Sequence, residues 1–193
     1  MAAAEGIRDE ASGEAEWLRQ IARGERAAFE KLYASYAPRV FRFLHRMLRD
    51  TALAEEATND VLVEVWKSAA RFKGRSAPST WILGIARFRA LNLLRGRRLP
   101  TDQLERALDV ALPEPGGTVQ DRRTRDHRLR SGMDQLSPEH REVLELTFFH
   151  GCSYREIAEI AQCPENTVKT RMFHAKRRLK PLLEQLGLAE GGA

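Results

Sequence analysis

Cysteine is almost missing from this chain, with two among 193 residues. Two thiols cannot build a disulfide framework, so a reducing, cytoplasmic location is the expectation. Long apolar runs are missing as well. None approaches the ~18 residues needed to cross a bilayer, which excludes a membrane span. The opening stretch MAAAEGIRDEASGEAEW has five acids, one arginine and no apolar centre, so it does not read as a signal peptide. The thirteen glycines are scattered, and no G-x-x-x-x-G-K-[ST], G-x-G-x-x-G, H-E-x-x-H or G-x-S-x-G occurs. The commonest enzyme signatures are therefore absent. What is present is 42% apolar and 31% charged residues, with a net charge of +5. That balance suits a folded, soluble chain of one domain or two small ones.

The charges are sorted along the chain. From Asp50 to Trp66 there are five acids (Asp50, Glu55, Glu56, Asp60, Glu64) and no base. From Lys67 to Thr101 there are nine bases and no acid. Residues 102–121 hold five acids against Arg106, and Arg122 to Arg130 holds five arginines against Asp126. A merely solvated surface would mix the signs along each helix. Sorted blocks point instead to charged partners.

Periodicity is helical throughout, and no segment reads as a strand. A short helix is expected at 14–23, ending at Gly24. Apolar residues from Ala27 to Leu48 recur at helical spacing, with a kink or break expected at Pro38. A further helix is expected from Leu53 to Ala70, with Ala57, Val61 and Val65 inward. The stretch FKGRSAPS at 72–79 reads as a loop in which Ser79 caps the next helix, Thr80 to about Arg97. That helix is expected to bury Trp81, Ile82 and Ile85, with Phe88 as a further candidate. Residues 99–121 hold three prolines and PEPGG, the composition of a linker. Beyond it come a charged lead-in helix at 122–135 and a helix started by Ser137-Pro138 and running to about Phe149. A Ser153-capped helix follows over Tyr154–Ala161, and a last one from Glu165 to about Leu186. The expected fold class is all-α: two small helical domains joined by a flexible linker, at 25–98 and 122–187, with an extension at 1–24 and a tail at 188–193.

Two constellations carry chemistry. SYREIAEIAQCPENTVKTRMFHAKRRL sets a nine-residue amphipathic helix, a short turn and a basic helix in succession, a helix-turn-helix pattern. Asn166, Thr167, Lys169, Thr170 and Arg171 stand where base-edge readers belong. Lys176, Arg177 and Arg178, nearly two turns on, suit phosphates, and His174 joins the candidate −35 contacts. Ile157, Ala158 and Ala161 are expected to face a core with Val168 and Met172. The second constellation is the acid-free stretch 67–101, where Arg87, Asn92, Arg95 and Arg98 fall on or near one face as a phosphate track. Loop 72–79, with Arg75, Ser76 and Ser79, could hold a single unstacked base. Trp81 reads more simply as core. His150, Cys152, Cys163 and His174 lack close-paired zinc-ligand spacing. A Cys152–Cys163 disulfide is excluded by the ~13 Å helix between them, and Cys163 reads as a small buried thiol. No metal, cofactor or catalytic residue emerges.

On these residues the chain closely resembles the extracytoplasmic-function (group IV) sigma factors of the sigma-70 family, from about Ala27 to Leu186. EEATNDVLVEVWKSAARFKG resembles the family's core-polymerase docking helix and the start of its melting region. STWILGIARFRALNLLRGRR resembles its −10 helix, and LSPEHREVLELTFFHGCSYREIAEIAQCPENTVKTRMFHAKRRL its −35-binding domain. Asn59-Asp60 stands where the family commonly has Gln-Glu, Phe88 where members usually carry Asn, and Asn92 where they often carry Asp. The resemblance implies a non-enzymatic specificity subunit of bacterial RNA polymerase. It implies that Glu56, Asn59, Asp60 and Glu64 dock on the β′ clamp helices, with the β flap as a further polymerase contact. Promoter DNA would be the other partner, with no small-molecule substrate. The linker would thread the polymerase channels, and an anti-sigma factor, in the family often membrane-anchored, would hold the protein inactive. Two rivals are a stand-alone helix-turn-helix regulator and a helical nucleic-acid-modifying enzyme. The first needs no acidic docking helix followed by a single-strand loop. The second needs a carboxylate cluster or nucleophile beside the basic groove, where residues 67–101 have no acid.

Overall fold

A computed structural model describes residues 13–96, 132–133 and 135–185. The expected linker, most of the lead-in helix, and Arg98 lie outside the described residues. Seven helices are described: α1 (13–22), α2 (Arg26–Leu48), α3 (Thr51–Ser68), α4 (Pro78–Gly96), α5 (Pro138–Phe148), α6 (Tyr154–Ala161) and α7 (Glu165–Gln185). No strand occurs among the described residues. Two compact units divide them, with α1–α4 in the first and α5, α7 and most of α6 in the second.

In the first unit α2, α3 and α4 pack against one another in all three pairs. Their seams are Leu32, Tyr36, Val40, Phe43 and Leu44 on α2, Ala54, Ala57, Val61, Leu62 and Val65 on α3, and Ile82, Leu83, Ala86 and Ala90 on α4, all buried. The alanines on α3 and α4 keep side-chain bulk low on those faces, which permits close approach. α1 adds the buried Leu18 and Ile21, and its Glu14 accepts a 2.6 Å hydrogen bond from the Tyr36 hydroxyl. Gly24, at φ 87°, supplies the left-handed turn between α1 and α2. The Asp50 carboxylate caps α3 by accepting from the Leu53 amide at 2.9 Å.

Three expectations are corrected here. α2 does not break at Pro38. An interior proline costs ~3 kcal/mol or more, but this one is exposed, and buried Tyr36, Val40, Phe43 and Leu44 anchor the helix on both sides of it. Ser79 is not a cap: α4 begins at Pro78, whose missing N–H costs nothing at a helix start, and the Trp81 amide bonds the Ala77 carbonyl at 3.1 Å. Phe88 is not core, being 64% exposed; Thr80, Leu83, Ala86 and Ala90 hold the buried face with Ile82. Trp81 and Ile85 are half-buried, and the Trp81 ring leans on Phe72 with centroids 5.4 Å apart.

In the second unit α5 packs on α7. Leu144, Leu146, Val143, Ile157, Val168, Met172 and Ala175 are buried. Ala158 is only half-buried, and Ile160 is the buried residue beside it on α6. Ser137-Pro138 starts α5 as expected. Beneath the following turn Glu145 and His150 are buried side by side, Oε1 and Nε2 3.5 Å apart, while Gly151 takes φ 66°. Ser153 caps α6 through a capping box. The Glu156 amide donates to Ser153 Oγ at 3.3 Å, and the Ser153 amide donates back to Glu156 Oε2 at 2.8 Å. Replacing Ser153 by Ala removes half of that box. It is expected to lower the stability of the second unit by about 1 kcal/mol, measured as a lower Tm in thermal denaturation.

Candidate nucleic-acid interface

The turn between α6 and α7 is closed by backbone alone. The Cys163 amide bonds the Ala158 carbonyl at 3.1 Å, and the Thr167 amide bonds Pro164 at 2.9 Å. Gln162 takes the left-handed φ of 51° that the reversal demands. With Val168, Met172 and Ala175 turned inward, the 3.6-residue repeat fixes what α7 turns outward. Asn166, Thr170, Phe173 and Arg177 form one exposed stripe, flanked by exposed Lys169 and Lys176. Within it the Thr170 hydroxyl bonds the Asn166 carbonyl at 3.0 Å, and Lys169 pairs with Glu165 at 2.9 Å. An exposed i, i+4 pair of this kind contributes little and opens readily to a phosphate or base.

Arg171 stands apart from that stripe. It is half-buried, with its guanidinium 4.0 Å from the Cys163 sulfur. Thr167 is half-buried on the same flank, while His174 and Arg178 are exposed. Cys163 itself is partly exposed rather than buried, because it sits at the tip of the turn. This flank reaches the start of α5. Glu139 is held below the usual carboxylate range mainly by its own backbone amide, with the Ser137 hydroxyl and the Arg171 charge adding to this. His140 is pushed below its ordinary value by burial first, then by the charges of Arg178 and His174. Its ring lies 6.2 Å from that of His174.

In the first unit α3, whose one base is Lys67 in its last turn, keeps its acids outward. Glu56, Asn59 and Glu64 are exposed and Asp60 is half-exposed. Asn59 accepts a 3.1 Å hydrogen bond from Tyr33, and Asp60 is ion-paired with Arg89 of α4. Both partners of that pair are about two-fifths exposed, so it holds weakly and remains available to a competitor. Arg75 is exposed beside Gly74, which takes φ 65°. Ser76 and Ser79 are half-buried, with Ser79 beside the Tyr36 phenol. Burial, then the hydrogen bond and charge of Glu14, push that phenol far above its ordinary value, so it stays neutral. On α4, Asn92 and Arg95 are exposed and Arg87 is half-buried. Arg98 lies outside the described residues. Among those residues no cluster of three or more His, Cys, Asp or Glu is placed to hold a metal, and both cysteines are free thiols.

The matched families cover both units. The Sigma-70 region 2 family matches residues 32–99, and the Sigma-70, region 4 family matches residues 126–179. The chain is 32% identical over 171 residues to the ECF RNA polymerase sigma factor SigK of Mycobacterium ulcerans, covering 86% of this chain and 91% of that one. This chain belongs to the ECF RNA polymerase sigma factors. The sigma factor is also 33% identical to the RNA polymerase sigma factor CarQ of Myxococcus xanthus, over 86% of this chain and 94% of that one. Its fold matches CnrH, solved in complex with the cytosolic domain of CnrY, at a TM-score of 0.68 and 21% identity. That match covers 90% of this chain and 98% of CnrH. The fold also matches RpoE of Bartonella quintana, solved with the anti-sigma factor NepR, at a TM-score of 0.67 and 23% identity over 81% and 96% of the two chains. All the expected −35 residues lie inside the region 4 match, and the docking and −10 residues inside the region 2 match.

Sequence reasoning missed the Tyr33–Asn59 and Asp60–Arg89 contacts, which join residues 26 and 29 positions apart. It also missed His140, whose only signal was its place in the first turn of α5. A histidine whose pKa is lower folded than unfolded gives stability that is complete above the unfolded value. That stability is lost as pH falls through the folded value. His140→Gln is therefore expected to flatten the loss of Tm of this sigma factor between about pH 7.5 and about pH 5, followed by thermal denaturation at matched ionic strength.

Proposed function

We propose that this sigma factor divides its work between the two outer faces of its first unit and the outer stripe of α7. As a member of its family it binds core RNA polymerase and directs promoter recognition. The finer assignment is ours. Glu56, Asn59, Asp60 and Glu64 dock on the β′ clamp helices. Arg75, Ser76 and Ser79 receive a base flipped from the −10 element, and Arg87, Asn92, Arg95 and Arg98 track the melted strand. Asn166, Thr167, Lys169, Thr170 and Arg171 read the −35 element, while His174, Arg177 and Arg178 position it. The β flap is the polymerase contact of the second domain, and the linker at 99–121 threads the polymerase channels. We keep 25–98 and 122–187 as the two working domains. An anti-sigma factor covers these surfaces in the stored state, a reading supported by the CnrY and NepR complexes of the two structural relatives. The protein works in the cytoplasm without chemistry of its own; no described helix is long and apolar enough to cross a membrane.

The observation that carries this reading is that α3 and α4 pack together yet expose opposite charges, acids on α3 as far as Glu64 and bases on α4. A single helix pair can then face a basic protein surface and a polyanion at once. Asp60→Arg places a like charge against the docking surface, and is expected to weaken capture of core polymerase while circular dichroism stays unchanged. Arg89→Ala is the control: it frees Asp60 from its ion pair and should leave capture intact or improve it. Unchanged capture by a folded Asp60→Arg protein would sink the docking assignment.

The two kinds of contact on α7 should also separate. Arg178→Ala is expected to weaken binding to all sequences alike and to flatten the salt slope by about one unit. Lys169→Ala or Arg171→Ala is expected to cost ~1–3 kcal/mol and to relax preference at one −35 position. Selection from a randomised −35 library at several salt concentrations measures both.

A further inference from the structure

Tyr36 is the one buried residue of α2 that carries a polar side-chain atom; the others are Ala28, Leu32, Val40, Phe43, Leu44 and Leu48. At 1% exposure its ring is fully packed, and phenylalanine would fill that space as well. A hydroxyl taken there must find a partner. It meets two other helices. Glu14 of α1 accepts its hydrogen bond at 2.6 Å, and Ser79, in the first turn of α4, lies beside it. Arg39, one turn further along α2, acts on the same phenol through its charge. α1 is itself docked by the buried Leu18 and Ile21, so Glu14 is presented by an anchored helix. That helix lies ahead of residues 32–99, the span of the region 2 match.

The first turn of α4 is also where loop 72–79 ends. The other end of the loop is held by Phe72 against Trp81. Between these anchors stand Gly74, at φ 65°, and the exposed Arg75. A loop fixed at both ends keeps one shape before a base arrives, which spares the ordering cost when it binds.

We propose that Glu14 is a positioning residue for strand opening. By holding the Tyr36 hydroxyl it fixes the first turn of α4, and with it the shape of the loop that receives the flipped base. Glu14 itself touches no nucleic acid and acts through Tyr36. The proposal rests on the base-receiving role given to loop 72–79 above.

Flipping a base out of a duplex costs energy that an already unpaired strand does not demand. A misshapen loop therefore shows on duplex DNA and hardly on an opened template, whereas a damaged fold shows on both. Holoenzyme is assembled from core polymerase and full-length sigma factor, and given a genomic promoter fragment that it transcribes. The fragment is prepared as a duplex and as a heteroduplex mismatched across the −10 region, and single-round transcript yield is measured on each. Tyr36→Phe keeps the ring and removes the hydroxyl, while Glu14→Ala removes the acceptor. Each is expected to lower the duplex yield about fivefold, the effect of roughly one lost hydrogen bond, and the heteroduplex yield less than about twofold. The double variant should be no worse than either single one, because both remove the same hydrogen bond. Glu14→Gln, which keeps an acceptor, should restore the duplex yield to within about twofold. Should Glu14→Ala fail to fold, the nearly isosteric Tyr36→Phe decides the case. Equal losses on both templates, additive losses in the double variant, or no loss on the duplex overturn the proposal. Arg75→Ala, measured alongside, tests the loop itself. If it leaves the duplex yield intact, the base-receiving role of the loop fails, and the proposal with it. If it lowers that yield while Glu14→Ala and Tyr36→Phe do not, only the positioning role of Glu14 fails.

Discussion

The apolar seam between α3 and α4 governs the first domain. It is lined by Ala54, Ala57, Val61, Leu62 and Val65 against Ile82, Leu83, Ala86 and Ala90. Burying such side chains contributes roughly 1.5–3 kcal/mol for each large one, far more than any exposed charge pair. The rotation of each helix is therefore set from inside. Once it is set, the acids of α3 and the bases of α4 have nowhere to go but outward, on separate surfaces. The Asp60–Arg89 pair is where the two surfaces meet. Being half-exposed and weak, it ties them together without neutralising either.

The second domain solves the same problem with less chain. α6 is only eight residues long, too short to be stable alone. Its capping box and the reversal at Gln162 fix its two ends, and Ile157, Val168 and Met172 are buried. That leaves the outer stripe from Asn166 to Arg177 exposed. Along the stripe the Thr170 hydroxyl bonds the Asn166 carbonyl and the flanking Lys169 pairs with Glu165, exposed contacts that a competing polar group can replace at small cost. Arg171 is the exception. Leaning toward Cys163, with its charge felt at Glu139 in the first turn of α5, it ties α7 to the elements before it.

Helix positions, the helix-turn-helix and both charged faces were legible in the sequence, because apolar periodicity and charge blocks are local properties. The seams followed from spacing at Ala57, Val61 and Val65. What failed was contextual. Pro38 was expected to kink or break α2, and the helix runs on unbroken because Pro38 is exposed and buried residues on both sides hold it. Ser79 looked like a cap, yet Pro78 starts the helix and Ser79 turns to Tyr36. Phe88 was offered as a further core candidate on hydrophobicity alone, although small and aliphatic residues fill the buried face. The Asp60–Arg89 and Tyr36–Glu14 contacts join helices distant in sequence, and no local pattern encodes them.

If charges sorted by helix packing give this sigma factor its role, adding it makes non-specific core polymerase promoter-specific. That is tested most directly by multi-round transcription on fragmented genomic DNA, comparing core polymerase alone with core plus this protein. Discrete transcripts that start a fixed distance downstream of shared −35 and −10 elements are expected, and only when the protein is added. Identical, unfocused transcript populations with and without it, from a core that responds normally to another sigma factor, would contradict the account.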